Sequence, residues 1–249
     1  MSPEQSLRNW RALVFSSTWL VYAGLYFCRK AFYAVKPAMK DELGLDWSAL
    51  GDFGLAYLIA YTVGQFAAAA AGSQLGARRL VLIGMAASIT SNIVFGLSST
   101  YLQIMVFMVV NGLAQATGWP SCVSVLARWT SRQERGLIMG FWGTCYQLGG
   151  VAATSWAVWW LDRMGWRTAF FAASCVLATV WIYNFLFLRS GPEDAGFEPI
   201  PDEEDGDDES PAPEDAGPFW NRSRITTVVL LGLFYLGVKF VRYTLWSWA

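Results

Sequence analysis

Seven stretches of this chain run long without a charged residue: 12–28, 53–72, 80–97, 101–127, 136–161, 168–188 and 225–238. The last continues past two basic residues to the end of the chain. Most lie near the roughly 20 residues needed to cross a bilayer core. In lipid every backbone N–H and C=O must find its partner within the protein, so uninterrupted runs of this length predict transmembrane helices. A composition of 55% hydrophobic residues over 249 positions agrees. The first run is followed by Arg29-Lys30 rather than by a small-residue cleavage site, so it reads as a span and not as a signal peptide.

Alternating the spans from a cytoplasmic N-terminus places Arg8, Arg11, Arg78, Arg79, Arg128, Arg132, Arg135, Arg189, Arg222 and Arg224 inside. Only Lys36, Lys40, Arg163 and Arg167 then fall outside, and the positive-inside rule selects this orientation. Between the sixth and seventh runs, residues 191–221 are rich in Pro and acid. Twelve of the 19 acidic residues lie from Glu193 to Asp215 with no Lys or Arg among them, the pattern of a solvated cytoplasmic linker. The expected layout is a six-helix bundle over 1–190, the linker over 191–221, and a seventh helix over 222–249. That helix would open a second bundle, so the chain reads as a piece of a longer one with five more spans expected after it.

An internal repeat relates the two parts. Tyr22, Gly24, Phe27 and Arg29 recur at the same spacing as Tyr235, Gly237, Phe240 and Arg242. Each arginine lies seventeen residues after the start of its run, at 12 and 225, and both helices run outward from the cytoplasm. Similar depth is expected, as in parallel halves related by an axis along the membrane normal.

Arg29, Lys30, Lys239 and Arg242 are embedded in apolar sequence, while Asp52 and Asp162 sit only at the edges of runs. A charge at the bilayer centre costs on the order of 3 kcal/mol. Cations without carboxylates to neutralise them point to an anionic guest, and Arg offers a planar fork that matches phosphate or carboxylate. Snorkelling to the headgroups is the competing explanation, weightier for the two lysines than for the arginines. Helical spacing puts Tyr22, Tyr26, Arg29 and Tyr33 on one face, and Tyr235, Lys239, Arg242 and Trp246 on another. Gly136-xxx-Gly140 and Gly149-Gly150 read as packing sites for close helix crossings, and Pro120 as a kink in the fourth span. Cys28, Cys122, Cys145 and Cys175 all fall within spans and read as buried free thiols. With no His and dispersed cysteines, no zinc site or other cofactor is implied.

These residues resemble the organophosphate:phosphate antiporters of the major facilitator superfamily. The resemblance rests on Tyr22 with Arg29-Lys30 and Phe32, on Gly118-Trp119-Pro120 with Trp129, Glu134-Arg135-Gly136 and Gly149-Gly150, on Gly191-Pro192 with Asp194 and Gly196, and on Arg242-Tyr243 with Trp246-Ser247-Trp248. It implies an all-α membrane protein: the superfamily's N-terminal six-helix bundle plus the first helix of its C-terminal bundle. It implies that Arg29 and Arg242 coordinate a substrate phosphate, with Lys30, Tyr22 and Tyr61 on pathway positions. Gln65 stands where some members carry a pathway lysine, Tyr146 where the glycerol-3-phosphate exchangers carry a histidine, and Lys239 where a tyrosine is usual. The loop between the second and third spans has Ser73 in place of the family's acid.

The function so implied is exchange of a phosphate ester for inorganic phosphate by alternating access, in a monomer of the plasma or inner membrane with no nucleic-acid partner. A sugar-phosphate sensor of the same fold, or a carrier of another organic anion, are the alternatives. With no His and no intramembrane acid, general acid–base catalysis lacks its groups, which argues against an enzyme.

Overall fold

The computed structural model describes residues 3–201 and 222–248, with side chains over 4–201 and over 225–241 except Lys239. The described chain is helical and falls into two compact units, Met1–Glu203 and Glu204–Ala249. In the first unit α1 (Pro3–Leu43), α2 (Trp47–Leu75), α3 (Ala77–Leu97), α4 (Tyr101–Gln115), α5 (Gly118–Trp129), α6 (Arg132–Trp142), α7 (Thr144–Met164) and α8 (Trp166–Phe187) trace six crossings, followed by a 3₁₀ turn at Pro192–Ala195. The second unit contains α9 (Arg222–Trp248). Its helix runs through Lys239 and Arg242, whose side chains lie outside the described residues.

Among the described residues four helices are long and apolar enough to cross a membrane: Trp47–Leu75, Ala77–Leu97, Tyr101–Trp129 and Trp166–Phe187. α1 is long enough, but Ser16, Ser17, Thr18 and Trp19 dilute its apolar run. The fourth crossing combines α4 and α5. Its break falls at Ala116–Thr117, one turn before Pro120, where the missing proline N–H leaves the Ala116 carbonyl without its helical donor. Thr117 Oγ1 also donates to the Ala114 carbonyl at 2.8 Å, which bends helices. The fifth crossing, read as one run from the sequence, tightens at Gly143 (φ −58°, ψ −16°) and divides into α6 and α7.

Sharp reversals come from residues suited to them. Gly76 at φ +78° and Gly165 at φ +83° join α2 to α3 and α7 to α8 with no linker to spare, a backbone region that disfavours side chains. Asp46 caps α2 by accepting from the Ala49 N–H at 2.7 Å, and Thr100 with Gln103 forms a capping box on α4.

α1 packs against α5, α7 and α8; α2 packs on α4; α3 packs on α4 and α8. Small residues set these distances. A Cβ at Gly149 would lie 2.8 Å from Ala23 Cα, and one at Gly112 would lie 2.6 Å from the Tyr57 carbonyl. Gly149 is thus the packing residue expected of it. Gly136 and Gly140 are not: an added Cβ at either meets nothing within 4 Å among the described residues. The GxxxG spacing puts both on one helix face but cannot say that the face is occupied. The cysteine reading needs a similar correction, since Cys175 is exposed on α8 while Cys28, Cys122 and Cys145 are buried.

The N-terminal end of α1 is tied into the bundle by polar contacts. Arg11 pairs with Glu134 and donates to the Trp129 carbonyl, Trp129 Nε1 donates to the Arg189 carbonyl, and Arg128 pairs with Glu193 at 3.0 Å. At the opposite end, Glu42 accepts from Trp166 Nε1 at 2.8 Å and pairs with Arg167, which also donates to the carbonyls of Gly96 and Ser98. The outward surface of the middle is apolar: Leu55, Ile59, Val63, Phe66, Leu137 and Val151 are each more than half exposed, as suits lipid.

Candidate functional site

Arg29 lies within this apolar layer. At 1.5 Å per residue it stands about 21 Å before the C-terminal end of α1. Beyond it Ala31, Phe32, Val35 and Met39 are all at most 1% exposed, so packed core lies on both sides of the charge. The guanidinium turns into the bundle and not along the helix toward its end. Its Nε donates to Gln115 Oε1 at 3.0 Å, and Gln115 on α4 is wholly buried.

Gln115 is held from four directions. Its Oε1 also accepts from the Tyr57 hydroxyl at 2.9 Å. Its Nε2 donates to Ser88 Oγ at 3.2 Å and to Asn111 Oδ1 at 3.3 Å, and Ser88 Oγ donates to the same Asn111 oxygen at 2.7 Å. An arginine Nε can only donate, so the amide orientation is fixed by its partners. Three rings surround the cation: Arg29 Cζ lies 4.8 Å from the Tyr61 centroid, 5.0 Å from Tyr26 and 5.7 Å from Tyr57. No carboxylate pairs with Arg29 among the described residues, and its Nη2 is buried without a hydrogen-bond partner. A buried cationic N–H left in this condition is costly, and such a group suits a ligand oxyanion.

Of the residues singled out from sequence, Arg29, Tyr22, Tyr61 and Gln65 come together. Tyr61 neighbours Tyr22, Arg29 and Gln65. Tyr22 also packs edge-on to Trp119 at 5.5 Å and against Trp142 at 5.4 Å, joining α1 to α5 and α6. Lys30 takes another direction, with its Nζ 5.9 Å from the Tyr33 ring. Tyr146, on α7, is half-buried against the core. Lys239 and Arg242 lie outside the described side chains. Sequence reasoning missed Tyr57, Gln115, Asn111 and Ser88. A signal was present: Asn111 and Gln115 are amides four residues apart inside an apolar run, and polar groups in lipid-spanning helices turn inward to partners.

The model of the Major Facilitator Superfamily matches residues 18–248. The chain belongs to the major facilitator superfamily. The fold agrees: a bacterial homologue of the human lysosomal transporter Spinster, solved inward-facing and unoccupied, superposes with a TM-score of 0.63 at 17% identity over 74% of this chain and 44% of its own. Relatives similar in sequence include proteins of the kind the motifs resemble. A probable hexose phosphate transport protein of Chlamydia trachomatis is 32% identical over 79% of this chain and 43% of its own length. The membrane sensor protein UhpC of Escherichia coli is 32% identical over 76% of this chain and 43% of its own. The human glucose-6-phosphate exchanger SLC37A2 is 27% identical over 96% of this chain and 59% of its own. The chain therefore spans less than half the length of the first two. Membership in this superfamily makes the chain a multi-pass membrane protein of a transporter family.

Proposed function

We propose that this chain forms most of the first half, and the first helix of the second half, of a carrier that exchanges a phosphorylated small metabolite for inorganic phosphate. Residues 1–190 make the first bundle, 191–221 an acidic cytoplasmic linker, and 222–249 the first helix of the second bundle. The carrier works as a monomer in the plasma or inner membrane with its N-terminus in the cytoplasm, the side to which ten of its basic residues are assigned.

One observation carries the reading: a guanidinium in the interior of an apolar bundle, ringed by tyrosines, with no carboxylate partner among the described residues and its buried Nη2 unsatisfied. Such a group is stabilised by a guest bringing its own charge. By the sequence repeat with Arg29, Arg242 is the second guanidinium for the phosphoryl group. Lys30 and Lys239 raise the positive charge of the pathway, and Tyr22, Tyr61, Tyr146 and Gln65 line it. An empty, strongly positive site resists reorientation across the bilayer, which couples outward movement of one anion to inward movement of another. The relatives named as hexose-phosphate transport and glucose-6-phosphate exchange proteins support the ester class.

The test is counterflow of labelled inorganic phosphate by the full-length protein in liposomes. Saturable exchange, lost in Arg29→Lys and in Arg242→Lys, is expected; normal exchange by both variants sinks the proposal. The 32% identity to a membrane sensor protein favours one second reading, a receptor that binds the ester without moving it. Phosphate binding with no flux in the same liposomes would select it.

A further inference from the structure

The arginine fork has two edges on which an oxyanion can be gripped by two parallel N–H bonds: Nε with Nη2, and Nη1 with Nη2. Gln115 occupies the first of these at Arg29 by accepting from Nε at 3.0 Å. Gln115 has no freedom to yield it. Its Oε1 is shared with the Tyr57 hydroxyl, and its Nε2 is committed to Ser88 and Asn111. Ser88 and Gln115 are both wholly buried and Asn111 is 6% exposed, so water does not compete for these bonds. Ser88 is anchored further, because its backbone carbonyl accepts from Asn92 Nδ2 at 2.9 Å. A chain of neutral groups on α3 and α4 therefore sets the angle of a cation carried on α1. Neutrality matters. A carboxylate at 115 would hold Arg29 as firmly but would cancel the charge offered to a guest.

We propose that Gln115 is a positioning residue which, through its buried amide network, blocks the Nε edge of Arg29 and presents the Nη1–Nη2 edge to the incoming phosphoryl oxyanion. This rests on the reading that Arg29 meets that group. The network holds the fork in one orientation before binding, so little side-chain entropy is lost when the anion arrives. It also uses up the amide's own hydrogen-bonding capacity, so Gln115 acts through Arg29 and not on the anion directly.

The experiment measures the affinity of labelled inorganic phosphate for the purified full-length protein, with melting temperature recorded beside it. Gln115→Met keeps the side chain's length and removes both acceptor and donor; its phosphate Kd is expected to rise about tenfold. Gln115→Glu keeps an acceptor for Arg29 and Tyr57; it is expected to melt no lower than the Met variant and yet to lose about a hundredfold in affinity. A merely structural role for Gln115 predicts the reverse order, with Glu restoring what Met removes. Unchanged affinity in Gln115→Met, or Gln115→Glu binding as well as Gln115→Met or better, overturns the inference. If the Met variant does not fold, Gln115→Glu against wild type decides alone, wild-type affinity in it being the overturning result. Arg29→Lys separates the two levels: wild-type affinity there defeats the underlying reading of Arg29, whereas loss there with no loss in Gln115→Met defeats only the role of Gln115.

Discussion

Gly112 on α4 offers a test in which packing and site fail together. An added Cβ would lie 2.6 Å from the Tyr57 carbonyl, 2.9 Å from Ala60 Cβ and 3.1 Å from the Tyr61 N–H nitrogen, where ordinary contact begins at 3.4 Å. The first contact is with backbone, which cannot swing aside like a side-chain tip. Relief requires α2 to retreat from α4 by about 0.8 Å, the shortfall between those distances, and overpacking on this scale costs about 1–3 kcal/mol. The better helix propensity of Ala returns about 1 kcal/mol, leaving a net loss of up to about 2 kcal/mol. Because the displaced turn carries Tyr57 and Tyr61, both against Arg29, the same substitution should weaken phosphate binding several-fold. Gly136→Ala is the matched control: its Cβ meets nothing within 4 Å among the described residues, and the protein should melt at an equal or higher temperature with unchanged affinity. Melting curves and labelled-phosphate titrations on full-length Gly112→Ala and Gly136→Ala read both effects. Equal behaviour of the two variants would refute the α2–α4 contact and the argument built on it.

Other expectations follow from the ends of the bundle and its thiols. Burial raises the Glu134 carboxyl, but the Ser131 backbone N–H and the Arg11 guanidinium outweigh it and hold the group below its ordinary value of 4.5. A depressed folded value means stability that is present above the unfolded pKa and lost as pH falls through the folded one. Glu134→Gln should therefore destabilise by about 1 kcal/mol at neutral pH, both partners being about one-third exposed. That deficit should shrink below about pH 4, in thermal melts across pH, and a deficit independent of pH would count against the Arg11 pairing. N-ethylmaleimide in mild detergent should modify Cys175 first, while Cys28, Cys122 and Cys145 react only on unfolding, as read by peptide mass spectrometry. Early modification of Cys28 would contradict its burial beside Arg29.

What the sequence made legible was set by rarity and period. Long charge-free runs mark the spans, and an arginine inside one is costly enough to single out Arg29 before any coordinates. The partners of Arg29 were harder to see because they depend on which face of α2 and α4 meets α1, a matter of register that no single helix encodes. Tyr57 and Tyr61 are four residues apart on α2, yet only Tyr61 stands out, through the family resemblance, while it is Tyr57 that shares the Gln115 oxygen. The GxxxG pair at Gly136 and Gly140 misled for a related reason: spacing gives the face, and only packing gives its neighbour. The division of the fifth crossing at Gly143 left no mark in hydropathy, since a tightened turn keeps the run apolar. Arg242 rests on the sequence repeat and the family resemblance, and Lys239 on its place within an apolar run.

Arg29, with no carboxylate against it among the described residues, is proposed to be completed by an incoming anion. Equilibrium binding of labelled inorganic phosphate to the full-length protein, wild type against Arg29→Gln, tests it with the fewest steps. Saturable wild-type binding, displaced by a phosphate ester, is expected, with a loss of about a hundredfold or more when the charge is removed. Arg29→Gln binding phosphate within about threefold of wild type would contradict it.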